Sequence, residues 1–261
     1  MTSEPIEAYG GMRFPASVLR SFADQANGEA FPWHADHDLT KPVRIRDFVI
    51  FTHDRSDGVT ELRFRAEMHP DDVHLMGTRP GMSATVMSPL PRDENLPERP
   101  DAPFRLSADH AWFDDEALIA AEEKIISLGV PGSHLLVQRA YQFAWAPDPQ
   151  IFMEISGNVL LSVGASALWD AIKLLFRRRR TPPGGVATKA TTINFDITDG
   201  QRSLRAVVKT NDPEVARRAI ESLDSVASEF AKAVPPVEEA AGSPAETLTW
   251  DDPSRRWTPP G

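Results

Sequence analysis

The sequence predicts an α+β protein in two parts. The first, residues 1–148, reads as a β-rich, partly closed barrel with short helices; the second, residues 149–234, reads as a compact β-α-β-β-α unit. Three observations carry this expectation. Leu62, Phe64, Ala66 and Met68 alternate with Glu61, Arg63, Arg65 and Glu67, the pattern of a strand with one wet face. Leu168, Ile172, Leu175 and Phe176, and later Val215, Ala219, Leu223, Val226 and Phe230, lie on single faces of two helices. Between those helices, Ile193, Phe195 and Ile197 pass through Asp199-Gly200 to Leu204, Ala206 and Val208, a hairpin.

Taken in order, residues 15–27 form a helix through Val18, Leu19, Phe22 and Ala26, stopped by Gly28. Residues 43–53 are rich in Val, Ile and Phe and read as a strand. The turn residues 54–58 join it to the alternating strand, so the two form a hairpin. Ser83–Met87 is a third strand. Residues 88–103 hold five prolines and form a surface loop. Asp114 caps a helix over 115–128, and Leu135–Trp145 is a further strand. From 149 the pattern changes to a strand at Ile151–Ile155, a helix at 165–178, the hairpin, and one long helix begun by Asp212-Pro213. A barrel suits the first part better than a βαβ sheet. The tail, residues 235–261, is rich in Pro, Glu, Ala and Ser and is expected to be disordered.

Composition excludes several function classes. A formal net charge of −10 argues against a general nucleic-acid binder, which needs a basic footprint. The absence of cysteine removes disulfides, thiolate nucleophiles and Cys-based zinc sites together. The first residues lack an apolar signal region, and the apolar run from Val159 to Phe176 is interrupted by Ser162, Gly164, Ser166, Asp170 and Lys173. The expected location is therefore cytoplasmic, without a membrane partner. His34 and His37 make an H-x-x-H, but no spacing converges further ligands on them, so neither metal nor cofactor is expected.

One pair of segments suggests chemistry. His37 lies in Trp33-His-Ala-Asp-His-Asp38, and Ser83 lies in Arg79-Pro-Gly-Met-Ser83, beyond the hairpin. A histidine can take the proton of a serine hydroxyl and so make it a nucleophile. Gly81 would let main-chain N–H groups approach a reacting carbonyl.

The order of these parts over residues 10–90 resembles the phage prohead maturation proteases, serine peptidases related to the herpesvirus assemblins. It consists of a helix, a His-Asp segment leading to Pro42, a hairpin, the acidic His69-Pro-Asp-Asp-Val, and Gly81-Met-Ser83 opening a strand. The resemblance implies His37 as base and Ser83 as nucleophile. It implies a third group at Glu154, in Phe152-Met-Glu-Ile-Ser156, with His110 as the alternative. The chain differs from the family pattern at Ala84-Thr85-Val86 and at Pro42-Val43-Arg44.

The run Asn158–Lys173, then Arg177–Arg180, a hairpin and a helix, resembles the effector-associated constant component of bacterial conflict systems. That resemblance implies an adaptor. The function expected is thus a serine endopeptidase of the prohead-protease type, active or inactive, in a bacterial defence or signalling assembly. The alternative is a non-enzymatic interaction protein that keeps only the fold. Its partners are protein substrates or partner proteins. The arginine run reads as a solvated helix end, and Trp250 and Trp257 read as either a docking peptide or chance tail aromatics.

Overall fold

The computed structural model describes residues 2–27, 33–34, 42–75, 85–90, 101–142, 148–183, 187–199, 202–232 and 246–260. It divides into two units, Met1–Thr85 with Gln142–Pro147, and Val86–Tyr141 with Asp148–Gly261.

The first unit is built on a ribbon. α1 (Ala16–Ala26) starts after Pro15, whose carbonyl accepts from the amides of Val18 and Leu19. β1 (Trp33–His34) pairs with β2 (Pro42–Val43). β3 (Ile45–Asp54) and β4 (Thr60–Met68) form an antiparallel two-stranded sheet of their own. The inner face of this ribbon buries Ile50 and Leu62 with Ala23 of α1, and Phe22 and Phe48 pack around them. Asn27 secures the helix by mimicking a strand. Its side-chain amide donates to the Ile50 carbonyl at 2.7 Å and accepts from the Ile50 amide at 2.9 Å. At the hairpin, the Thr60 hydroxyl donates to Asp54 at 2.6 Å, and Arg20 of α1 reaches the same carboxylate at 3.1 Å. These contacts, Thr60 first, hold the Asp54 carboxyl below its ordinary value. At the other end Asp72 accepts from the Arg44 guanidinium at 2.7 and 2.9 Å and from the Arg44 main-chain amide at 2.8 Å, which drives its pKa far down. The sequence expects this hairpin, and it is observed.

The second unit is an eight-stranded mixed sheet covered by helices. In chain order its elements are β5 (Thr85–Pro89), β6 (Phe104–Asp109), α2 (Asp115–Ser127), β7 (Leu135–Gln142), β8 (Gln150–Ser156), α3 (Gly157–Val163) and α4 (Ala165–Arg178). Then come β9 (Thr191–Asp199), β10 (Arg202–Thr210), α5 (Pro213–Glu221), α6 (Leu223–Lys232), β11 (Glu246–Asp251) and β12 (Arg256–Thr258). The strand order is β12-β11-β10-β9-β8-β6-β7-β5. Both edges run into proline, Pro89 after β5 begins and Pro259-Pro260 after β12, which blunts edge-to-edge pairing.

Register explains the core. Leu106 lies beside Met153 and Val137, Met153 beside Phe195, and Phe195 beside Ala206, so one face is a continuous apolar row. All five side chains are buried, as are Leu118 and Ile125 of α2, Ile172 and Leu175 of α4, and Ala216 and Ile220 of α5. α2 packs on α4, α4 on α5, and α3 on α6. Apolar burial on this scale is the main stabilising term.

Several expectations are corrected here. The strands after β4 do not close a barrel among the described residues. β6, α2 and β7 instead form a parallel βαβ unit inside an open sheet. The helix α2 between the two parallel strands buries Ala117, Leu118, Ala121 and Ile125, and the other edge of β6 pairs with β8. β6 and β8 are neighbours, so residues on both sides of position 148 share one sheet. The tail is not disordered over 246–260. β11 adds in parallel to β10, and β12 returns on β11. Trp250 and Trp257 face each other across that return at 5.4 Å, and the Trp257 indole donates to the Ser222 hydroxyl at 2.7 Å. Arg218 of α5 binds the Asp252 carboxylate through three contacts of 2.8–3.1 Å. The long last helix is also two helices, divided at Ser222. The Asp212 cap with Pro213 in the first turn is as expected.

Arg177 and Arg178 are exposed in the last turn of α4, as a solvated helix end expects, while Arg179 and Arg180 depart from it. Arg180 donates from its main chain to the Trp112 carbonyl at 2.9 Å, and from its guanidinium to the carbonyls of Ala111 and His110 at 3.0 and 2.5 Å. Arg179 lies 4.7 Å over the Trp112 ring and donates to Thr191 Oγ1, Asn211 Oδ1 and the carbonyls of Ala187 and Lys189. A lysine cannot reproduce this planar fork or its stacking. Arg179→Lys should therefore lower the unfolding free energy by about 1–3 kcal/mol, read by urea denaturation. A loss within ~0.5 kcal/mol, the range of ordinary surface changes, would show that the clasp is dispensable.

Candidate functional site

His37, Ser83 and Gly81 lie outside the described residues, so their mutual geometry is not part of this description. The two positions read as third catalytic group, Glu154 and His110, are both described, and they sit in different settings.

Glu154 is on β8. Its neighbours across the strands are Arg105 of β6 and Asp196 of β9. It lies on the sheet face opposite the apolar row, since Met153 and Ile155 point into the core. Its carboxylate accepts from Arg105 Nη1 at 2.9 Å and its side chain is 48% exposed. The next pair along the same rung is Asp196 with Arg205, at 2.7 and 3.2 Å. The rung Arg105–Glu154–Asp196–Arg205 thus carries the charges plus, minus, minus, plus. Each carboxylate is matched across one strand boundary.

His110 follows the last residue of β6. Asp109 makes the turn there. Its side chain accepts from the Ala111 amide at 3.0 Å, and its carbonyl accepts from the amides of Trp112 and Phe113. The His110 ring lies 5.5 Å from the Tyr141 ring, and its Nε2 is 3.2 Å from Asp115 Oδ1 at the start of α2. The same carboxylate is held by Arg139 of β7, Nε to Oδ1 at 2.7 Å and Nη2 to Oδ2 at 2.8 Å. The sequence reading missed Arg139 and Asp115. The available signal was Arg139 itself, a charge at an inward position of the series Leu135, Val137, Arg139, Tyr141.

Burial is the largest influence on His110 and pulls its pKa below the ordinary histidine value; Asp115 opposes this, while Arg139 and Arg180 add to it. Asp115 is held below its ordinary range, first by the Arg139 hydrogen bonds, and burial raises Tyr141. A neutral imidazole near pH 7 can donate from Nε2 to Asp115. The arrangement therefore holds a neutral ring beside a carboxylate already engaged by arginine. An activating carboxylate would instead direct its charge at the imidazole alone.

Among the described residues no group of three or more His, Asp or Glu side chains is placed to hold a metal ion, and no single helix is long and apolar enough to cross a membrane. No protein-family model, no curated protein and no solved structure matches this chain.

The depressed pKa of His110 sets a pH dependence. The unfolded chain takes up this proton first as the pH falls, so the advantage of the neutral folded ring is complete above the unfolded value, near 6.5, and is lost as the pH falls through the lower folded value. Between pH 7 and 5 the melting temperature of the wild type should fall more steeply than that of His110→Gln. Parallel profiles would show that another group governs acid sensitivity in this range.

Proposed function

We propose that this chain is a non-enzymatic protein-interaction protein of the adaptor kind, working within a bacterial defence or signalling assembly. The observation that carries this reading is the setting of Glu154. A carboxylate that serves a catalytic histidine is buried against it and keeps its charge for the imidazolium. Glu154 is half exposed and directs its charge at Arg105, within a rung that contains no histidine or serine. Such a group holds strands together. Support also comes from element order. β8, the α3–α4 pair, β9, β10 and the α5–α6 pair follow, with each helix doubled, the β-α-β-β-α order that the likeness to the effector-associated constant component implies, and those components act beside effectors as adaptors.

A second reading keeps the prohead-type serine endopeptidase, with His37 as base and Ser83 as nucleophile. It is favoured by the strand β5, which opens two residues beyond Ser83, as a Gly-x-Ser segment leading into a strand requires.

Fluorophosphonate labelling separates the two readings, because only a base-activated hydroxyl reacts quickly with such a probe. The adaptor reading expects the wild type to label no faster than Ser83→Ala. Labelling that is present in the wild type and abolished in both Ser83→Ala and His37→Ala would establish the peptidase and overturn the adaptor.

A further inference from the structure

The outer face of the β3–β4 ribbon combines exposed apolar groups with arginine. A β-bulge creates this face. Between Arg46 and Val49 the register shifts, and Asp47 adopts a left-handed backbone at φ 51°. Before the bulge, Arg46 lies opposite Glu67. After it, Val49 lies opposite Arg65, Phe51 opposite Arg63 and His53 opposite Glu61. The core takes Ile50 and Leu62. The run Phe48-Val-Ile-Phe51 is apolar at every position, so either parity would leave apolar side chains outside. The bulge selects Val49 and Phe51, which remain 41% and 44% exposed.

We propose that this face docks a short acidic segment of a partner protein, with apolar side chains over Val49 and Phe51 and carboxylates on Arg63 and Arg65. This rests on the reading of the chain as an interaction protein and locates its contact surface. Three features select the occupant. The first is charge: the face carries Arg46, Arg63 and Arg65 against Glu61 and Glu67, on a chain whose net charge is −10. Arg46 is matched by Glu67 and Arg63 by Glu61, and Arg65 makes no ion pair among the described residues. An acidic partner is repelled by the chain as a whole and attracted to this face, which fixes where it lands. The second is composition: an aromatic side chain flanked by arginine stems is what binding hot spots use. The third is size: ten residues of β3 at about 3.3 Å each give a strip roughly 33 Å long and two strands wide. That suits an extended peptide and is too narrow for a standard domain interface of about 800 Å² per partner. A second copy of this chain is disfavoured, because it would set arginine against arginine.

The test is fluorescence anisotropy on the full chain with a fluorescein-labelled dodecapeptide of Asp, Glu, Leu and Phe. The same peptide with Lys for each acid, a dodecathymidylate and phosphatidylserine vesicles are measured beside it. The acidic peptide should bind saturably, more weakly with added salt, and about tenfold or more weakly to Phe51→Ser and to Arg65→Glu, the loss expected of a hot-spot contact. Both positions are on the surface, so unchanged circular dichroism and melting temperature identify the loss as one of binding. Three outcomes would overturn the proposal: no saturable binding, equal binding to wild type and both variants, or tighter binding of the oligonucleotide or the vesicles through the same two residues. Fluorophosphonate labelling is read on the same samples. Peptide binding without labelling supports both this surface and the non-enzymatic reading. Binding with Ser83-dependent labelling keeps this surface and removes the non-enzymatic reading. Absence of both removes this surface alone.

Discussion

Where β6 ends, the chain turns through Asp109–Phe113 beside buried Trp112 and Phe113, and the carbonyls of His110, Ala111 and Trp112 leave the strand ladder together. Buried carbonyls without partners are costly. Arg180, about seventy residues later in the sequence, satisfies all three. Arg179 next to it lies on the Trp112 ring and fastens the approach to β9 and the β10–α5 turn through Thr191 and Asn211. Two adjacent arginines therefore join the β6-α2-β7 part of the sheet to the β8–β10 part. Among the described residues neither pairs with a carboxylate. Arg179 is instead surrounded by neutral acceptors, and burial lowers its pKa. The clasp adds a second link between two parts that already share the β6–β8 ladder, and it fixes the end of α4, which packs on both α2 and α5.

The legibility of the fold follows how local each interaction is. The β3–β4 and β9–β10 hairpins were readable because turn and alternation lie within one short stretch. The caps at Asp114 and Asp212 were readable for the same reason, since each side chain bonds an amide two or three residues on. β6 was missed although Phe104, Leu106 and Ala108 alternate cleanly. It is six residues long, it follows a proline-rich run, and its partners come from β7 and β8. β11 and β12 were missed because their own apolar content is small. What orders them is Arg218 and Ser222, both of them on helices.

The candidate site follows the same rule. His110 was visible as a residue type, but its neutral state follows first from burial, with Arg139 and Arg180 adding to it and Asp115 opposing it, and none of these is local in sequence to the His110 turn alone. Glu154 was read through a three-residue likeness, and its real partner, Arg105, lies 49 positions away on a strand the alternation had not yet identified. Even within the basic run, Arg179 and Arg180 were misjudged for this reason, whereas Arg177 and Arg178 are exposed as expected. Charge alone suggests solvent, whereas a planar guanidinium can serve as a buried donor set wherever main-chain carbonyls converge.

The polar faces of the two sheets differ in a way that bears on recognition. On the large sheet, Arg105–Glu154 and Asp196–Arg205 complete each other. A partner binding across that rung would have to desolvate pairs that already satisfy their charge, and the exchange gains little. On the ribbon the cross-strand neighbours of Arg65 and Arg63 are Val49 and Phe51. Arg63 takes its carboxylate from Glu61 two residues away on its own strand, and that same Glu61 is shared with Arg55 at 3.6 Å. Positive charge therefore exceeds negative where apolar surface is also exposed. A ligand that brings carboxylates and apolar groups together completes an arrangement the ribbon leaves open, and the large sheet offers no comparable gain. The bulge at Asp47 decides this contrast, since it determines which side chains of Phe48-Val-Ile-Phe51 enter the core and which are left for a partner.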